Sequence, residues 1–452
     1  MELDYRLAWR SAIPTNGISN ARISGFNAEE TQALRAYLAN LGISVIRDPA
    51  ELLVANINGA SGRQKLRDER PNLGSKASFI LTDRLNCRST KKVLHVNYRG
   101  TSELAMIPAS NPRLMFGLRS TRLRDVLKFH SPGRISRRFL LRFVAALGAV
   151  GFRFPLKGRV AVIGREAGIK SILEEHIADI FQLPKIDQSE LVTYLGSATL
   201  DRKLTVLPLV QKEGTALKQV AKIAVTEAAE QSINREVRAL SELSNTTMAR
   251  YIPRLVRSST KGPVKYMVQT YCDGGPVKRY QVSLLYDALR VMAAQNRAIV
   301  SLEHLLSAMR STFNEDLFSP LSQDEKLQLD AIARENDSYY VWRSHGDFAS
   351  WNTVKSGEKI QIFDWEKSVS QDLGYSDIFY FMLSPAIINP HTELKRVSFP
   401  LTLEAAGDLL PHRHQSGVAS AKAHLVVWLL REAQRTNSAL ILLRQFLREM
   451  RD

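Results

Sequence analysis

The chain has 452 residues, 44% hydrophobic and 24% charged, with 62 Lys and Arg against 45 Asp and Glu and a net charge of +17. That length carries two or three domains with real cores in a soluble globular composition. Two cysteines, Cys87 and Cys272, exclude a disulfide framework and make a reducing, cytoplasmic setting the expectation.

The start, Met1-Glu2-Leu3-Asp4-Tyr5, lacks the basic opening and apolar core of a secretory signal, and no apolar run reaches membrane-spanning length. The basic balance favours anionic partners: nucleotide, phosphorylated substrate, an acidic membrane surface or nucleic acid. It does not choose among them.

Residues 1–180 read as a basic α/β domain of unassigned role. Asn27 and Glu30 form a capping box at a helix start, Leu34, Tyr37 and Leu38 give the helix an apolar stripe, and Gly42 ends it. Short strands are expected at 43–46, 52–54, 79–81 and 93–96, with a polar loop over 59–76. No glycine fingerprint, metal cluster or nucleophile motif occurs here.

Between Arg113 and Arg159 eleven basic residues from Arg119 onward face one acid, Asp125, around the apolar runs Phe139–Leu141 and Phe143–Leu147. The plainest reading of this 113–159 segment is a core helix with solvated basic flanks. Peripheral contact with an anionic membrane surface is the second, and contact with RNA or an acidic polymer the third. No recognised nucleic-acid module supports that last reading. Val160–Gly164 is a strand, and a turn through Gly168 leads into a helix through Ile177; the turn lacks the Gly-Lys-Ser/Thr end of a P-loop.

From 186 to 275 the pattern becomes β-rich. Val192–Thr199 and Leu204–Leu209 read as strand, small-residue turn and strand, with Gly196 and Ser197 in the turn. Val220–Val225 is a β-run with one lysine, Lys222, in an apolar setting. A helix carrying Glu236 follows, and Tyr266–Gly275 is a strand running out through Thr270, Tyr271 and Cys272 to a glycine pair. From 276 to 452 helical periods dominate. Leu284, Leu285, Ala288, Leu289 and Met292 form one apolar face, and Ile299, Leu302, Leu305, Leu306 and Met309 another. Ser322–Glu325 opens a capped helix, and Ser376–Phe381 starts one more.

One stretch carries chemistry. Ser344-His345-Gly346-Asp347-Phe348-Ala349-Ser350-Trp351-Asn352 is followed by the apolar run Ile360–Phe363 and then Asp364-Trp365-Glu366. Phosphoryl transfer needs Mg²⁺ on hard oxygen ligands and a carboxylate that orients the attacking hydroxyl. An Asp and an Asn on one tight loop, with a second Asp at a strand end, can provide both.

The stretch resembles the catalytic loop and metal-binding segment of the aminoglycoside phosphotransferase and choline kinase group, small-molecule kinases with the protein-kinase-like fold. The resemblance covers about residues 190–385, and Ala349-Ser350-Trp351 departs from the His-Pro-Gly-like run often found there. It implies an α+β, bilobal architecture: a small β-rich N-lobe (186–275) and a helical C-lobe (276–452), preceded by the separate small α/β domain. It implies Asp347 as catalytic base, Asn352 and Asp364 as Mg²⁺ ligands, and His345 and Asp377 as structural braces.

By the same resemblance Lys222, paired with Glu236, reaches the α and β phosphates of ATP or GTP. Gly196 and Ser197 cover the phosphates, and backbone groups of Thr270, Tyr271 and Cys272 meet the nucleobase. The implied activity is phosphorylation of a small hydroxylated acceptor, a sugar or sugar-linked molecule. The alternative is a pseudokinase-like nucleotide-binding scaffold or regulatory protein, which has no need to keep Asp347, Asn352 and Asp364. A protein kinase is the third reading, weakened by His-Gly and by the lack of an Ala-Pro-Glu-like segment.

Overall fold

The computed structural model describes residues 12–24, 26–46, 50–57, 74, 76–82, 100–107, 114–117, 159–166, 171–184, 186, 190–195, 201–212, 215–261, 264–313, 318, 320–335, 338–409 and 414–450. They divide into two units. Met1–Ile233 with Leu255–Tyr271 forms the first, and Asn234–Arg254 with Cys272–Asp452 the second.

The strands of the first unit are β1 (Asn20–Ser24), β2 (Ser44–Val45), β3 (Leu52–Asn56), β4 (Ala77–Thr82), β5 (Gly100–Ile107), β6 (Leu114–Gly117), β7 (Arg159–Arg165), β8 (Leu191–Tyr194), β9 (Lys203–Pro208), β10 (Gln211–Lys212), β11 (Thr215–Ala216), β12 (Gln219–Ala224), β13 (Leu255–Ser259) and β14 (Tyr266–Thr270). Among the described residues, twelve of them form one sheet in the order β13-β14-β12-β9-β8-β6-β5-β7-β4-β3-β1-β2. Pairing is parallel from β2 through β1 and β3 to β4, and antiparallel from β4 onward. Leu52–Ala55 and all of β4 are buried, as befits near-continuous apolar runs inside a parallel sheet.

The sheet corrects one expectation. The front segment is joined to the following strands, because β6 pairs with β8 and sets Phe116 opposite Val192. One core then runs from Leu34 and Leu38 through Val54, Phe79 and Ile163 to Val206 and Val268. A boundary near residue 180 would cut through both sheet and core. The strand expected at 93–96, most of the 59–76 loop, and residues 118–158 of the basic segment lie outside the described residues; its ends, Leu114–Gly117 and Arg159, fall on β6 and β7.

Two helices show local sequence control. Helix α1 (Ala28–Asn40) has the expected capping box: Asn27 Oδ1 accepts from Glu30 N at 2.8 Å, and Leu34, Tyr37 and Leu38 are buried. Helix α2 (Ile172–Phe181) runs past the expected end at Ile177, and Ser171 and Glu174 form a second capping box at its start. Arg165 holds Glu174 through both guanidinium nitrogens. Helix α3 (Glu227–Leu243) then carries the chain from the first unit into the second.

In the second unit, β15 (Gly275–Pro276), β18 (Thr353–Ser356) and β19 (Lys359–Ile362) form one small sheet; β16 (Ala298–Val300), β17 (Tyr339–Ser344) and β20 (Val369–Leu373) form another. Around them lie α4 (Tyr286–Ala293), α5 (Leu302–Phe313), α6 (Gln323–Arg334), α7 (Ser376–Ile388), α8 (Pro390–Glu393), α9 (Phe399–Gly407), α10 (His414–Ala433) and α11 (Asn437–Glu449). Aromatic contacts tie the helices: Phe379 of α7 to Trp428 of α10 at 5.9 Å, and Phe399 of α9 to Phe446 of α11 at 5.0 Å.

Two of the residues read as core faces are not core. Leu284 and Ile299 are exposed, and Ile299 lies on the short strand β16 rather than on a helix. Periodicity marks an apolar face without saying whether a partner covers it.

Candidate active site

The loop after β17 is built by three clamps. Gly346 has φ +78, and a Cβ there would meet the Lys367 carbonyl oxygen at 2.2 Å, so only glycine permits this approach. Asp377, in the first turn of α7, accepts from the backbone N of His345 at 2.9 Å and of Gly346 at 3.1 Å. Burial pushes the Asp377 carboxyl up to about 7, against the pull of those two N–H groups. His345 is the third clamp. Its Nδ1 accepts from Asp347 N at 3.2 Å and its Nε2 faces Phe363 O at 3.0 Å, which assigns a neutral ring protonated on Nε2. The ring is fully buried, edge-on to Trp365 at 4.6 Å.

A hairpin brings the next residues together. Asn352 directly precedes β18, and β19 ends two residues before Asp364; Thr353 pairs with Ile362 and Ser356 with Lys359. Phe363 N donates to Asn352 O at 3.0 Å, so Asp364 follows one residue beyond that contact. Asn352 Nδ2 donates to Asp347 O at 2.9 Å, linking the two ends of the loop. Asp364 has φ +73, the left-handed region that a non-glycine residue seldom holds.

Asp364 does not stand alone. Glu236, Asp364 and Glu366 each offer a carboxylate oxygen within 4.8 Å of the others, with Glu236 and Glu366 buried. Arg235 Nε donates to the Glu366 carbonyl at 3.1 Å, fastening α3 to this turn. Carboxylates this close need cationic neighbours, and hard oxygen donors are the set that suits Mg²⁺. Sequence reading missed Glu366 as a donor, although its i, i+2 spacing from Asp364 was visible.

Asp347 is not part of that group. Its side chain is 16% exposed and lies 3.6 Å from Lys367 Nζ. The Tyr380 phenol lies near it; burial, and then the Asp347 charge, push that phenol's ionisation upward. Neither neighbour was singled out from the sequence.

The other expected residues are placed as follows. Lys222 is buried in β12 of the first unit, in register with Thr205 and Met267. Glu236 belongs to the second unit. Thr270 ends β14, Tyr271 N donates to Lys218 O at 2.9 Å, and the division between units falls between Tyr271 and Cys272, inside the expected hinge. Gly196 and Ser197 lie outside the described residues. No described helix is long and apolar enough to cross a membrane.

No protein-family model matches the chain, and no curated protein does. Solved structures similar to it are aminoglycoside phosphotransferases. The gentamicin complex of APH(2")-IIa is 17% identical with a TM-score of 0.38, over 62% of this chain and 96% of that one. A thermostable mutant of APH(4)-Ia, in a ternary complex with ADP and hygromycin B, is 11% identical with a TM-score of 0.40, over 61% and 98%. ADP-bound APH(2'')-Ib is 17% identical with a TM-score of 0.37, over 60% and 95%. At such identities and scores the functional reading has to come from the site itself.

Proposed function

We propose that the protein transfers the γ-phosphoryl group of ATP or GTP to a hydroxyl of a small molecule, a sugar or sugar-linked acceptor. The observation that carries this reading is the segregation of two kinds of carboxylate. Asp364, Glu366 and Glu236 cluster as hard donors, while Asp347 stands outside the cluster with an ammonium and a phenol beside it.

In this mechanism Asp364, with Glu366 and the Asn352 amide oxygen, would hold Mg²⁺. The ion's part is to neutralise polyphosphate charge. Asp347 takes the proton of the acceptor hydroxyl, or orients it. The acceptor oxygen bonds to the γ-phosphorus as the bond to the β-phosphate oxygen breaks. The nucleoside diphosphate leaves with that electron pair, and the proton on Asp347 passes to solvent. His345 and Asp377 keep the loop backbone in place. Lys222 is proposed as the ligand of the α and β phosphates, with Glu236 as its partner. Gly196 and Ser197 are proposed over the phosphates, and Thr270, Tyr271 and Cys272 at the nucleobase.

The test is thermal unfolding with Mg·ATP and Mg·GTP. A ligand at a hundred times its Kd stabilises by about 2.7 kcal/mol. Wild type should show this stabilisation only with Mg²⁺ present. Asp364→Ala should lose it, and Asp347→Ala should keep it. A well-folded wild type that neither nucleotide stabilises would overturn the kinase reading in favour of a scaffold.

A further inference from the structure

We infer that Lys367 is a catalytic residue whose ammonium binds the non-bridging oxygens of the phosphoryl group in transit past Asp347. The inference rests on the reading of Asp347 as the base.

Its position is fixed by the backbone. Gly346 lies so close that a Cβ would meet the Lys367 carbonyl carbon at 2.9 Å and its Cβ at 3.1 Å. The next residue is pinned as well: Ser368 Oγ donates to Ser344 O at 2.8 Å, and Ser368 N to Trp365 O at 3.1 Å. Pairing of Ser344 with Val369 continues the clamp into β17 and β20. The Lys367 stem therefore starts at a set point beside the loop, and its side chain, 55% exposed, approaches the base from solvent.

The ammonium is not used up by Asp347. At 3.6 Å from Oδ2 it lies beyond hydrogen-bond range, so their attraction is Coulombic and its donors can turn to an incoming anion. A pair with one partner this exposed adds little to stability. Fold stability thus leaves this placement unexplained.

The site also needs a cation here. In that reading Mg²⁺ offsets Asp364 and Glu366, which leaves the Asp347 charge facing a group that is itself anionic. Between the base and Asn352 the loop reads Phe348, Ala349, Ser350 and Trp351, with no cation among them. Phe348 and Ala349 are fully buried, and Ser350 Oγ donates to Val277 O. The nearby guanidiniums are engaged: Arg235 with the Glu366 carbonyl, and Arg343 with Glu242 and Ser368. Lys367 supplies charge that the loop lacks. It keeps its proton throughout and exchanges no atom.

The experiment uses the full chain and two probes, Mg·ADP and Mg·ADP with tetrafluoroaluminate, a mimic of the phosphoryl group in transit. Affinities are measured for wild type, Lys367→Met and Lys367→Arg, with the ligand-free unfolding midpoint as a check on folding. Lys367→Met should bind Mg·ADP like wild type but lose on the order of 10- to 100-fold in affinity for the tetrafluoroaluminate complex. Lys367→Arg should recover most of that loss. In Mg·ATP hydrolysis, with water as acceptor, kcat should fall by a similar factor while KM stays constant. Equal tightening by tetrafluoroaluminate in wild type and Lys367→Met would overturn the role of Lys367 and leave the kinase reading standing. Failure of folded wild type to bind either probe would instead remove the kinase reading, and this inference with it.

Discussion

Gly346→Ala tests how tightly the turn ending at Lys367 approaches the loop after β17. Two costs add. Holding an L-residue at φ +78 costs about 1–2 kcal/mol. The new Cβ would also stand 2.2 Å from a backbone oxygen, so one of two segments must move by about 1 Å to reach ordinary contact. Neither yields easily, because Asp377 holds one and the Ser368 bonds hold the other. Overpacking of this sort costs about 1–3 kcal/mol, for a total of about 2–5 kcal/mol. Gly357→Ala is the internal control: φ is +59 there, but nothing lies within 4 Å of its Cβ, so only the conformational cost applies. Urea unfolding followed by tryptophan fluorescence reads the right region, because Trp342, Trp351, Trp365 and Trp428, four of the five tryptophans, belong to the second unit. The expected gap between the variants is about 1–3 kcal/mol. Equal destabilisation of the two would refute the close approach and weaken the fixed placement of Lys367.

Asp377→Asn should flatten a pH dependence. Burial raises the folded carboxyl from 3.8 to about 7, so its contribution is fully present below about pH 4 and is lost as pH rises through 7. Relative to Asp377→Asn, wild type should lose about 4 kcal/mol across that window in chemical denaturation; parallel curves would contradict the burial argument. His424 runs the other way: burial lowers it to about 4, and its contribution, present above pH 6.5, is lost as pH falls. The difference between the two proteins is therefore the quantity to read. Ser171→Ala should cost about 1 kcal/mol in the same assay, through loss of the cap on α2; no change would mean that Arg165 alone secures Glu174.

What the sequence disclosed follows the distance over which each feature is built. The capping boxes of Asn27 with Glu30 and of Ser322 with Glu325 were legible because both partners lie within one turn. The loop from His345 to Asn352 and the turn at Asp364 were legible for a related reason: one short hairpin converts their spacing into proximity. Strand pairing leaves no such trace. Phe116 meets Val192 across a stretch dominated by basic residues, so the front segment looked like a domain of its own. Helical spacing in turn made Leu284 and Ile299 look buried, because period alone does not supply the facing partner.

The same distinction runs through the site. Glu236 could be matched to Lys222 by order along the chain, but its grouping with Asp364 and Glu366 depends on α3 meeting a turn far down the sequence. Lys367 is the harder case. In the sequence it is one of many lysines in a strongly basic chain, and nothing in its neighbours marks it. Its significance arises from Gly346, whose missing side chain lets the two segments touch, and from Ser368, which locks the second segment to the first. Chemistry that depends on a residue type and a short spacing can be read directly. Chemistry that depends on which backbone a glycine admits becomes readable only when the glycine's φ and its nearest atoms are known.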